Sequence, residues 1–466
     1  MDLKNSPADA QPVVQQTPSA NPEIINNQST RKFRPEIQGL RALAVLLVAA
    51  YHLWFGRVSG GVDVFLLISA FLMAGSFTRK LEQDRFGGFK GVYTYWVHVF
   101  KRILPLASVT VVGVLIGSYL VLPASRWSSI ISEAKSVVLY YENWWSIANM
   151  VDYYATDSSA ASPLRHFWSL SVQGQIYILW PLVFFFSWLV IRRTRVNTRA
   201  LMALVFGVIF AVSLAYSVYI TGADQQTAYF NTFARVWEFA LGSLVAIVMP
   251  WLSLNRYVRA VMGWVGLAML VSCGFIFDVN GVFPGYLALW PTMAAAMIIV
   301  AGDTQTRFGP EKLLMWKPLV GLGNYSYGLY LVHWPLLVFF LYRNHAEKAG
   351  VVSGVGLLAL SLVASLVLTR CVEAPLRSWR VLDRSVGRAL GVVGVCVVLV
   401  LGSASGWGWK LESDVVAAER LAAVNNPGAR VLDAGFVYEG EENPEILPTE
   451  NMREKDIADL GSLCTD

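Results

Sequence analysis

Eleven apolar runs dominate the chain, near residues 40–56, 62–78, 104–122, 174–191, 201–220, 236–253, 260–277, 286–301, 319–341, 351–369 and 389–407. Each is at or near the ~20 residues that a helix needs to cross the hydrocarbon layer of a bilayer. Backbone inside lipid must satisfy its own hydrogen bonds, and apolar segments of this length do so as helices. The expected fold is therefore an all-α polytopic integral membrane protein with about eleven transmembrane helices. The second and eighth runs are the weakest, being short or interrupted by glycine or proline. Composition agrees: of 466 residues 55% are hydrophobic and only 15% charged. A mean hydropathy of +0.49 argues against an ordinary soluble domain. The 17 Trp and 19 Tyr suit interfacial belts.

The placement of Lys and Arg predicts the orientation. With the N-terminus inside, inner segments collect Arg31, Lys32, Arg34, Arg79, Lys80, Arg85, Lys90, Lys101, Arg102, Arg192, Arg193, Arg195, Arg199, Arg256, Arg259, Arg307, Lys312, Lys317, Arg370, Arg377, Arg380, Arg384 and Arg388. Outer segments hold Arg57, Arg126, Lys135, Arg165, Arg235, Arg343 and Lys348. The bias recurs along the chain, so the expectation is N-terminus in and, with an odd number of spans, C-terminus out. The net charge of +5 is modest, and nothing in it points to a nucleic-acid partner.

Four regions follow. Residues 1–32, rich in Pro, Asn and Gln, read as a disordered cytoplasmic tail; they lack the apolar stretch of a signal peptide. Residues 33–380 carry ten spans and 381–408 the eleventh. Residues 409–466 form an outer tail, acidic at Glu439, Glu441, Glu442 and Glu445 and not a span. Outer residues 123–173 hold Trp127, Trp144, Trp145, Trp168 and the run YYENWW, and are expected to lie at the membrane surface, capping a cavity. Cys273, Cys371, Cys396 and Cys464 are not spaced as metal ligands or as a disulfide framework, and no metal is expected.

Arg41 and His52 are the residues most suited to chemistry. Eleven positions make almost three helical turns, so both lie on one helix face about 16 Å apart along its axis. A cation at the inner edge and an imidazole deep in the span point to function inside the bilayer, where ionisable groups are costly. Asp63 follows the turn Ser59-Gly60-Gly61, which can fold the second span back and bring the carboxylate to His52. There it would fix the imidazole tautomer and stabilise an imidazolium. No Ser or Cys stands as an obvious nucleophile, so His52 is expected to act as base or direct acyl acceptor. Lys101, Arg102 and Arg370 fall at inner span ends, where the positive-inside rule alone explains any one of them. With Arg41 they form a ring able to hold the phosphates of a nucleotide-bearing donor.

The segments RPEIQGLRALAVLLVAAYH, GGVDVFLLISAFLM, SPLRHFWSLSVQGQIYILWP, ARVWEFALGSLVA, LGNYSYGLYLVHWPLL and RCVEAPLR, in this order, resemble the acyltransferase-3 family of membrane O-acyltransferases. The likeness runs from about Phe33 to Arg377, and the family's R-x10-H motif is Arg41 and His52. The resemblance implies an acyl-CoA donor, usually acetyl-CoA, taken from the cytosol by an enzyme of the plasma membrane. It implies an acceptor hydroxyl on an envelope glycan or glycolipid at the outer side, a trehalose mycolate-type lipid being one guess. Trp168, Ser169, Gln173, Gln175, Tyr330 and His333, within the matching segments, are the expected acceptor contacts; His166 has a weaker claim.

Two departures stand out. The family commonly reads SVEEQFY where this chain has Ser171-Val172-Gln173-Gly174-Gln175-Ile176-Tyr177. An amide can hydrogen-bond a sugar but cannot act as a base. In the family's R-x-x-R, Val99 takes the first position and Arg102 the second. Many members also carry an external SGNH hydrolase-like domain after the eleventh span. Here a linker of about sixty residues ends at Cys464-Thr465-Asp466 with no GDSH-like motif. The expectation is a chain cut at the start of such a domain; the alternative is a natural short form. A lipid or sugar exporter without acyl transfer is the competing function, though the inverted repeats of transporters are not apparent.

Overall fold

Helix occupies every one of the eleven apolar positions, as expected for backbone that must satisfy itself. The computed structural model describes residues 33–55, 60–151, 161–276, 283–379 and 385–442. The expected tail 1–32, Arg57, Ser59, Arg380, Arg384, Glu445 and Cys464 lie outside these. Residues 1–34 form a unit of their own, in which only Phe33 and Arg34 are described; all that follows concerns residues 35–466.

In chain order the helices are α1 (Pro35–Ala50), α2 (Gly61–Glu82), α3 (Gly88–Val121), α4 (Trp127–Val138), α5 (Glu142–Ala148), α6 (Trp168–Thr194), α7 (Thr198–Ala223), α8 (Gln225–Phe230) and α9 (Thr232–Val248). They continue with α10 (Arg256–Ile276), α11 (Leu289–Ala301), α12 (Glu311–Leu314), α13 (Lys317–Gly323), α14 (Ser326–Asn344), α15 (Val351–Leu368), α16 (Ala374–Ser378) and α17 (Val386–Asn425). Among the described residues there is no strand.

Among the described residues, nine helical stretches are long and apolar enough to cross a membrane. The other two expected runs differ for physical reasons. The eighth is a short apolar helix, Tyr286–Ala301. The ninth is split: α13 ends at Gly323 and α14 begins at Ser326, whose hydroxyl donates to the Gly323 carbonyl at 2.9 Å. The break sits where α13 meets α1, and a Cβ on Gly323 would lie 2.3 Å from the Gln38 carbonyl oxygen. α14 itself buries Ser326, Tyr330, His333 and Trp334 against protein. A helix enclosed by other helices need not be apolar all round.

The last helix also departs from expectation. α17 runs without a break past Trp409, which the sequence places in the tail, to Asn425. At 1.5 Å per residue its 40 residues span about 60 Å, twice the hydrocarbon thickness. Its continuation, KLESDVVAAERLAAVN, is rich in helix formers, and Lys410 pairs with Asp414 one turn on.

Close approach between helices relies on small residues, as packing in lipid requires. α2 lies against α9 with Gly242 at the contact, where a Cβ would come 2.2 Å from the Leu67 carbonyl oxygen. α9 packs in turn on α7, and α3 on α17. α1 lies against α2, α12, α13 and α14, and buries Leu40, Ala44, Val45 and Val48. Aromatic rings fill the space around α6 and α9: Trp168, Trp180, Phe184, Phe206, Tyr229, Phe230 and Trp237. Trp180 Nε1 finds the Ser243 hydroxyl at 2.9 Å, so its polar edge is satisfied. Residues 123–151, part of the segment expected at the membrane surface, form α4 and α5, with Ile130, Ile131, Ala134, Val137 and Val138 of α4 packed inward.

Candidate active site

α1 passes at Tyr51 into a turn of π-helix, Tyr51–Phe55. Such widened turns recur at functional sites because they shift a side chain out of the regular helical pattern. His52 lies in this turn. Its Nδ1 is 3.0 Å from Nε2 of His333 on α14, a partner 281 positions away. The two rings are nearly parallel, 7° apart with centroids at 5.3 Å, and the indole of Trp334 meets His52 edge-on at 4.9 Å.

His333 is 1% exposed. Its Nδ1 is 3.0 Å from the carbonyl oxygen of Leu329, one turn earlier on α14. A third imidazole, His166, stands next to it with ring centroids 5.9 Å apart. His166 Nε2 donates to the Leu331 carbonyl at 3.1 Å. Tyr330 and Ser169 complete the floor: Ser169 Oγ is 2.6 Å from the Tyr330 hydroxyl, which donates to the His166 carbonyl at 2.8 Å. The sequence expectation of Tyr330 and Ser169 as acceptor contacts thus meets two hydroxyls bonded within the protein. The Arg165 guanidinium is in electrostatic reach of His52.

Asp63 is elsewhere. The expected Asp63–His52 pair is replaced by an ion pair between Asp63 and Arg235 of α9. Arg235 Nη1 donates to Asp63 Oδ1 and to Glu238 Oε1, both at 2.9 Å, and its Nε donates to the Tyr229 carbonyl at 3.1 Å. Trp168, Tyr229 and Phe283 enclose the guanidinium at 5.1, 4.8 and 5.4 Å. The reason is electrostatic. A fully buried arginine requires carboxylates, and the α2–α9 contact brings Asp63 to one. Trp168, expected at the acceptor, is 1% exposed and serves as a wall of this box.

Gln175 is used as a strut. Its Nε2 donates to the Tyr140 carbonyl at 2.8 Å and to Asn143 Oδ1 at 2.9 Å, and its Oε1 accepts from Thr232 Oγ1 at 2.6 Å. The amide ties α5 to α6 and α9. Gln173 is half-buried on α6. Gly174 has a distinct role: a Cβ there would lie 2.1 Å from the ring of Tyr140. The Tyr140 ring fills the space that a glutamate would need at this position.

At the other end of α1, Arg41 Nη1 donates to Gln38 Oε1 at 3.0 Å. Arg41 lies in electrostatic reach of Arg102, Tyr177 and Glu373. Two of the four expected cations are therefore brought together. Lys101 is buried on α3 and Arg370 is exposed. Glu373 makes a 3.8 Å contact with Arg377. A groove of about 490 Å³ between the end of α2 and the start of α3 is lined by Lys80, Arg85, Lys90, Thr94, Tyr95 and His98.

Sequence reasoning missed a carboxyl pair on α4 and α5. Glu133 on α4 accepts a hydrogen bond from the Ser162 hydroxyl. Burial pushes the Glu133 carboxyl up to about 7, against the opposing effects of Ser162, Arg165 and Arg126. Burial, reinforced by Glu133, also holds Glu142 well above the usual carboxylate range, while Ser146 donates to its Oε1 at 2.7 Å. Neither shows as a site in sequence, because one glutamate in an amphipathic helix looks solvated.

These helices and buried imidazoles define a polytopic membrane protein with a titratable centre. The chain belongs to the acyltransferase family whose acyltransferase domain matches residues 34–370. It is similar to peptidoglycan O-acetyltransferase OatA of Listeria monocytogenes, 27% identical over 405 residues, covering 80% of this chain and 62% of that protein. It is also similar to O-acetyltransferase OatA of Staphylococcus aureus, 29% identical over 372 residues, covering 74% and 57%. The chain thus spans about three-fifths of the length of these curated relatives. No solved structure matches it.

Proposed function

We propose that the chain is a plasma-membrane O-acetyltransferase that moves an acetyl group from acetyl-CoA, arriving at the inner face, to a hydroxyl of an envelope glycan or glycolipid. The observation that carries this reading is His52, an imidazole held by His333 of α14 and set in the turn that follows α1, the helix that presents Arg41. The names of the similar proteins, one of which specifies peptidoglycan, favour a glycan acceptor over a glycolipid.

A sugar hydroxyl is a weak nucleophile and a thioester is already activated. The protein's task is to align the two and to take the hydroxyl proton. His52 takes that proton as the oxygen–carbon bond forms, and returns it to the departing thiolate as the carbon–sulfur bond breaks. At the inner end, Arg41 and Arg102 are the guanidinium forks for the donor's phosphates. The groove lined by Lys80, Arg85 and Lys90 offers a further positive surface. On the outer side, an external SGNH-like domain is the proposed partner for handing on or placing the product.

The test is transfer of label from [14C]acetyl-CoA to endogenous envelope material in membranes carrying the full chain. A folded His52→Ala variant is expected to lose about 100-fold or more, the range typical of losing a general base. Full activity in that variant would turn the reading toward export. An acetyl-histidine trapped without acceptor would make His52 a covalent relay.

A further inference from the structure

The contact between His52 and His333 contains more than proximity, because hydrogen bonds have a direction. A carbonyl oxygen accepts and cannot donate. The Leu329 carbonyl, 3.0 Å from His333 Nδ1, therefore requires the proton of His333 to be on Nδ1. In the neutral ring the lone pair is then on Nε2. That nitrogen faces His52 Nδ1 at 3.0 Å, so His52 must donate from Nδ1. In the neutral His52 ring the lone pair is then on Nε2.

We propose that His333 is a positioning residue that locks His52 in the tautomer with Nδ1 protonated, and so makes Nε2 the atom that takes the acceptor's proton. The inference rests on the acetyl-transfer reading for its chemistry and on the hydrogen-bond chain alone for the tautomer. The chain runs from His52 Nδ1–H to His333 Nε2, and from His333 Nδ1–H to the Leu329 carbonyl.

A charged His333 would break this chain, since both its nitrogens would donate. The surroundings disfavour that form. His333 is 1% exposed and faces the rings of His52, His166 and Tyr330. Arg165 already places a cation in electrostatic reach of His52. His166 spends its own Nε2–H on the Leu331 carbonyl and brings no negative charge. His333 thus does for His52 what an aspartate does in other catalytic dyads, as a neutral acceptor. The aspartate that could have done it is held by Arg235.

During transfer the hydroxyl proton moves to His52 Nε2 while the acceptor oxygen bonds to the acetyl carbon. The imidazolium keeps its Nδ1–H on His333. As the carbon–sulfur bond breaks, the Nε2 proton passes to the thiolate, and His52 returns to its starting tautomer. Atoms and charge balance with no further reactant.

The test uses 15N-histidine-labelled full chain in lipid bilayers. Only five histidines are present, so the His52 resonances can be assigned by their loss in His52→Asn. Pyrrole-type and pyridine-type nitrogens have distinct 15N shifts. The wild-type His52 is expected to show a protonated Nδ1 and a bare Nε2. His333→Ala should let the other tautomer appear and lower kcat by at least about 30-fold with the KM for acetyl-CoA unchanged, in line with the cost of a wrong catalytic tautomer. His333→Gln offers a carbonyl acceptor at the same place. It should retain the Nδ1–H form and recover activity to within about tenfold of wild type. A wild-type His52 protonated on Nε2, or a folded His333→Ala variant that keeps both tautomer and kcat, would overturn the proposal. A locked tautomer in a chain that transfers no acetyl group would leave the hydrogen-bond assignment standing and remove its catalytic role, together with the acetyl-transfer reading.

Discussion

Asp63 accepts a hydrogen bond from Arg235 Nη1 at 2.9 Å, with both side chains buried. The same nitrogen serves Glu238, so two carboxyl groups converge on one guanidinium. Removing one partner of such a group leaves an uncompensated buried charge, which costs about 3–5 kcal/mol. Arg235→Ala is therefore expected to lower the thermal unfolding midpoint in detergent sharply. Arg235→Lys should recover little, because a point charge cannot serve both carboxylates and the Tyr229 carbonyl at once. Asp63→Asn should lower stability while leaving the pH dependence of transfer unmoved. A shifted pH profile at unchanged stability would restore Asp63 to the partnership with His52.

The inner cations predict a donor phenotype. Arg41 lies with Arg102 near Tyr177 and Glu373. Arg41→Ala should nearly abolish transfer and weaken the apparent affinity for acetyl-CoA. Arg41→Lys should weaken affinity while keeping some activity, since the charge remains and the fork is lost. An unchanged apparent affinity in Arg41→Ala would put the donor elsewhere.

Glu133 predicts a dependence of stability on pH. Its carboxyl is raised by burial from an unfolded value of 4.5 to about 7. The folded state then binds the proton more tightly than the unfolded chain does. The resulting stability is fully present below about pH 4.5 and is lost as pH rises through about 7, by on the order of 3 kcal/mol at most. Glu133→Gln should reduce this slope between pH 5 and 7 in thermal unfolding of the purified chain, leaving the part that the raised Glu142 carboxyl contributes. A wild-type slope of opposite sign would show the carboxylate to be the stable form.

Orientation is tested by reporter fusion. The charge bias predicts the N-terminus inside and the C-terminus out. A reporter that works only after export, fused after Lys410, should be active. A reporter active only in the cytoplasm would change the number of crossings by one.

Helix positions were legible in the sequence because lipid imposes a length and a composition on every span. That Arg41 and His52 belong to the first apolar run was legible for the same reason, whereas the π-turn at Tyr51–Phe55, which resets the angle of His52, was not. Which side chains meet was not legible. Asp63 was the expected partner of His52 because local spacing favoured it, and His333 was expected only as an acceptor contact. The α2–α9 packing, made close by Gly242, brought Arg235 to Asp63, while the α1–α14 packing brought His333 to His52. Gly174 shows the same limit. In sequence it reads as a lost carboxylate; in the fold the Tyr140 ring occupies the space. By itself the sequence determined the helices and the cation and imidazole on the first of them, because periodicity and hydropathy act within a segment. Only the tertiary structure decided the partners of those groups, because a buried charge or hydrogen bond is satisfied by whatever another helix delivers across the contact.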